Sequence, residues 1–122
     1  KVLENSIDQM AQIINKTSFG LVFRCSQCKK IHIEFNNINL NFSETDYKRF
    51  SDYIYHLDGQ YWAERNTNSP YRRKIRIPIS ATPICLMLTV EELSALRKLL
   101  ENTSVSAGEE LIRTFHTTIR LN

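Results

Sequence analysis

At 122 residues the chain has the length of one domain, 1–122, and can bury a core without a disulfide framework. With 42% apolar and 24% charged residues it reads as globular, and a formal net charge of +3 permits a polyanionic partner without requiring one. Three cysteines, an odd number, exclude a fully paired secreted scaffold and point to the reducing cytoplasm, and no apolar run reaches the length of a bilayer span. The first residues do not read as a signal peptide, although the chain starts at Lys1 rather than methionine.

Residues 1–17 carry Ile7, Met10, Ala11 and Ile14 at roughly helical spacing behind Asn5 or Ser6, which predicts a short helix. Phe19 to Arg24 is apolar and partly β-branched, a strand. Cys25-Ser26-Gln27-Cys28 then forms the turn of a hairpin, because Ile31, Ile33 and Phe35 alternate with His32 and Glu34 in the next strand. Asn36-Asn37 makes a second tight turn, since asparagine tolerates left-handed backbone angles. Ile38, Leu40 and Phe42 alternate with Asn39 and Asn41, which face water. Ser43 caps a helix whose stripe is Tyr47, Phe50, Ile54 and Leu57, with Asp46 at its positive end and Asp58-Gly59 as its stop.

The stretch 59–73 carries no clear period. Tyr61 and Trp62 within it suit either a core or a recognition surface. From Ile75 the same order of roles returns. Ile75, Ile77 and Ile79 alternate with Arg76 and Pro78, and the proline predicts an edge or a bend. After a turn at Ser80 to Pro83, Ile84, Leu86 and Leu88 point one way, Cys85 and Met87 the other. Thr89-Val90-Glu91-Glu92 is a strict capping box, and Leu93, Leu96, Leu99 and Leu100 form the helix stripe. Asn102 to Gly108 is a loop by composition, and residues 111–121 favour a C-terminal strand.

The repeat-like units 31–57 and 75–100 predict an α+β fold: one antiparallel β-sheet built from two ββα units, with both helices packed on one face. Cys85, Met87, Phe115 and Ile119 leave apolar surface that a homodimer would cover.

Two thiols separated by two residues at a hairpin tip resemble half of a zinc knuckle. Candidate further ligands are His32, Cys85, His56, His116 or a second subunit, and the metal set read from the sequence is Cys25, Cys28 and His32. Against it, Lys29 stands where such a knuckle often has glycine. A redox dithiol would place its first cysteine at a helix N-terminus, whereas here only Arg24 and Lys29 flank the pair. A third reading makes the cysteines small closing residues of a turn. Arg72, Arg73, Lys74 and Arg76, with Tyr71 and Arg65, offer a surface for nucleic acid or another anion, or else simply protect an edge strand. No glycine-rich phosphate loop, nucleophile elbow or H-E-x-x-H is present.

Cys25-x-x-Cys28, the strand Ile31 to Phe35, Asn36-Asn37, Leu40-Asn41-Phe42-Ser43 and Tyr47-x-x-Phe50 resemble a family of small uncharacterised bacterial proteins found mostly in the Bacteroidetes. Ile77-Pro78 and Leu88-Thr89 through Leu93 extend the resemblance, which implies an intracellular protein and carries no activity. The leading expectation is a small non-enzymatic interaction or regulatory module with a protein partner and no membrane. A zinc-knuckle or nucleic-acid-binding module is the alternative, and a redox-active dithiol protein the third.

Overall fold

The structure, a computed structural model, describes residues 11–101. Four strands, β1 (Ala11–Thr17), β2 (Gly20–Cys25), β3 (Ile31–Phe35) and β4 (Ile38–Phe42), form an antiparallel sheet in sequence order. Helices α1 (Glu44–His56) and α2 (Gly59–Arg65) follow. Then β5 (Ile75–Pro78) and β6 (Cys85–Leu88) pair with each other, and α3 (Val90–Leu100) closes the described chain. The class is α+β, as expected.

The strands do not share one layer. β5 and β6 form a two-stranded sheet of their own, joined to the first by side-chain packing rather than by a backbone ladder. Alternation of apolar residues specifies which face of a strand is buried, and it leaves open which strand lies alongside. The inner face of the large sheet contributes Val22, Ile31, Ile33 and Phe35; the small sheet contributes Ile75, Ile77, Leu86 and Leu88. Between them α3 buries Leu93, Leu96, Leu99 and Leu100, and α1 buries Ile54, all in one apolar cluster. Tyr47 and Phe50 pack at its margin. Ile84, expected to share a face with Leu86, lies outside β6 and is exposed.

Ala11 to Thr17 is a strand and not the end of a helix. Ile13 lies opposite Phe23 and Asn15 opposite Val22, with the register broken at Ile14. Pairing with β2 outweighs a helical spacing that only a few residues support. The bulge turns Asn15 toward α3, where its amide donates to the carbonyls of Lys98, Leu99 and Glu101 at 2.8–3.0 Å. The first part of the expected helix, with Ile7 and Met10, lies outside the described residues, as do the expected strand 111–121, Phe115, His116 and Ile119.

Gly59 does not stop α1. Leu57 is the C-cap, and Asp58 starts α2 by accepting from the Tyr61 amide at 3.0 Å. Gly59 has no positive φ; its use is close packing, since a Cβ there would lie 2.6 Å from Leu93 Cδ2. Gly20 is tighter still, with a Cβ placed 1.8 Å from the Glu34 carbonyl oxygen across the β2–β3 ladder.

The caps expected at Ser43 and Thr89 are present. Ser43 Oγ accepts from Asp46 N at 3.2 Å. Thr89 and Glu92 complete a reciprocal box at 2.8 and 3.0 Å.

Candidate metal centre

The two-residue turn at Asn36-Asn37, with Asn36 at φ 54°, sets Phe35 opposite Ile38 and hence His32 opposite Asn41. On the other side His32 lies opposite Phe23, and Phe23 opposite Ile13. These four side chains form one row on the sheet face away from the core. Cys25 ends β2 two residues beyond Phe23, on that same face.

The β2–β3 turn is closed by backbone bonds: Cys25 N donates to Lys30 O at 3.0 Å and Lys29 N to Cys25 O at 2.9 Å. Lys29 takes φ 56°, the left-handed conformation a glycine would favour there. The backbone therefore takes this left-handed turn despite the lysine. Its Cys28 amide points at the Cys25 sulfur, 3.4 Å away. That amide, followed by the Cys28 thiol, lowers the Cys25 thiol to about 7. Arg24, read as a possible support for the thiols, points elsewhere. It pairs with Glu44 at 2.6 Å and donates to Gln12 at 3.2 Å.

His32 looks back at the turn. Its Nε2 is 3.2 Å from Cys28 Sγ, and its Nδ1 is 2.5 Å from Asn41 Oδ1. The two ring nitrogens are thus divided, Nε2 toward the thiols and Nδ1 toward the Asn41 amide. Phe23 stacks on the imidazole with centroids 4.8 Å apart, which holds the ring plane. The ligand atoms of Cys25, Cys28 and His32 all lie within 4.8 Å of one another. Tetrahedral zinc with sulfur and nitrogen ligands needs them about 3.5–3.8 Å apart, so small side-chain rotations would bring three of its four ligands into place and leave the fourth position to water or another donor.

Among the described residues the cluster contains neither Cys85 nor His56. Cys85 lies on β6 with Arg76 3.6 Å from its sulfur, and His56 bonds the Asp52 carbonyl one turn back along α1. His116 lies outside the described residues. Alternation alone makes Asn41 a solvent-facing residue; counting the ladder back from the Asn36-Asn37 turn places it beside His32.

The basic run is divided. Arg73 forms a two-pronged pair with Glu92 at 2.7 and 3.0 Å, which raises the arginine further and lowers the glutamate. Lys74 folds back onto the Ser69 carbonyl at 2.7 Å. Arg65, Arg72, Arg76 and Tyr71 are exposed. Tyr61 and Trp62 sit half out of the surface on α2, edge to face. Among the described residues no helix is long and apolar enough to cross a membrane.

No curated protein and no solved structure matches the chain. Residues 7–122 match the Family of unknown function (DUF6686), and the chain belongs to that family.

Proposed function

We propose that this protein is a small zinc-binding module of the bacterial cytoplasm, non-enzymatic and acting by interaction or regulation, with Cys25, Cys28 and His32 as ligands. The observation that carries the reading is the position of the His32 ring. Asn41 Oδ1 holds the ring at Nδ1, and Nε2 faces two thiols on a left-handed turn. A pair of cysteines that merely closes a hairpin has no use for an oriented imidazole. Zinc suits a borderline-soft set of two thiolates and one imidazole better than magnesium or calcium, which take oxygen.

Bound metal would join the end of β2 to β3 and stiffen the exposed turn between them. The test is metal analysis of protein produced without added zinc. The expected result is about one zinc per chain, lost in Cys25→Ala while the far-UV circular dichroism is kept. Wild-type protein that stays metal-free when incubated with zinc under reducing conditions retires the reading.

A further inference from the structure

The same turn carries the means to release its metal. We infer that Cys25 and Cys28 form a thiol–disulfide couple that governs zinc occupancy, with a hydroperoxide as oxidant. This rests on the zinc-site reading above.

Three observations support it. Both sulfurs lie within the 4.8 Å cluster, and the bonds from Cys25 N to Lys30 O and from Lys29 N to Cys25 O already hold the turn closed. A disulfide therefore needs side-chain rotation rather than a new fold. Cys28 is exposed and Cys25 half-buried, at the end of a sheet face away from the core, so a small oxidant reaches them without unfolding. The third cysteine, Cys85, belongs to the other sheet and to no cluster with them, so its oxidation does not compete for the same partner.

The chemistry balances. A Cys28 thiolate electron pair attacks one peroxide oxygen, the O–O bond breaks, and the departing hydroxide takes a proton to become water. The Cys25 thiolate then attacks the sulfenic sulfur and displaces a second hydroxide, which also takes a proton. Two thiolates, one hydrogen peroxide and two protons give one disulfide and two waters. Both sulfurs lose the charge that held the cation, and His32 alone cannot retain it. A dithiol reductant supplies the two electrons that reverse the step.

The test begins with reduced protein carrying Cys85→Ser, loaded with zinc and measured for metal before any oxidant is added. Hydrogen peroxide is then titrated in. Free zinc is read with a chromogenic chelator, and the Cys25–Cys28 bridge is read by peptide mass spectrometry. Zinc and disulfide are expected to appear together in a ratio of about one to one, and dithiothreitol with fresh zinc to restore the loaded form. A second variant, with Cys28→Ser added, is expected to form no internal bridge.

Zinc that stays bound while peroxide is consumed overturns the coupling and leaves the metal site standing. So does zinc lost with sulfinic or sulfonic acid in place of a bridge. Protein that takes up no zinc before the oxidant is added overturns both readings.

Discussion

At the scale of single residues, the candidate centre includes a neighbour outside the proposed ligand set. Asn41 Oδ1 lies 2.5 Å from His32 Nδ1 and holds the ring's orientation. Asn41→Ala frees the ring to rotate, so zinc affinity should fall about 10–100-fold while the sheet remains intact. Competition with a chelator of known affinity measures this, and unchanged affinity would remove Asn41 from the site. Glu92 is a second residue with two duties, accepting from the Thr89 amide and from Arg73. Arg73 is the main reason its carboxyl is held below the usual range. A depressed carboxylate stabilises the fold fully above the unfolded-state value, and that contribution disappears as pH falls through the folded-state value. Denaturant midpoints between pH 6 and pH 3 should therefore drop less steeply in Glu92→Gln than in the wild type, from a lower starting stability. Parallel curves would show that the pair contributes nothing to acid sensitivity.

At the scale of elements, much of the chain announces itself through short-range chemistry. Alternation, the Asn36-Asn37 turn and the two caps identify β3, β4, β5, β6, α1 and α3 because each signal lies within a few residues of its effect. The pairing of His32 with Asn41 follows from the same turn. What escaped is what depends on distant partners. α2 is seven residues long, starts with glycine and has too few turns to show a period. The helix C-termini are satisfied from afar: Arg97 donates from α3 to the carbonyls of Ile54, at 3.1 Å, and Leu57, as Asn15 does from β1 to α3. No local pattern reports a bond spanning 40 or more residues. Arg97→Ala strips a charged donor from two carbonyls at the α1–α2 corner and should cost about 1–3 kcal/mol in urea unfolding. Arg97→Lys should recover only part of the loss, since an ammonium lacks the two-pronged geometry. Full recovery would mean that charge alone matters there.

At the scale of the whole molecule, the two sheets share no ladder, so the described chain holds together through α3. Leu96 is fully buried near the middle of that helix, in the cluster that takes in both sheets. Its removal should therefore be felt on both sides. Leu96→Ala is expected to cost about 2–5 kcal/mol, more than an alanine at the half-buried Phe50 would suggest from side-chain size alone. The sharper expectation concerns cooperativity. If one shared core couples the sheets, the variant unfolds in a single transition at lower denaturant, with the fluorescence of Trp62 on α2 and the far-UV signal of the strands moving together. Amide exchange in β3 and β5 should accelerate by similar factors, because both open only when α3 leaves. Loss of protection in β5 and β6 alone, with β1 to β4 unchanged, would instead show two cores that fold separately, and α3 would then belong to the smaller one.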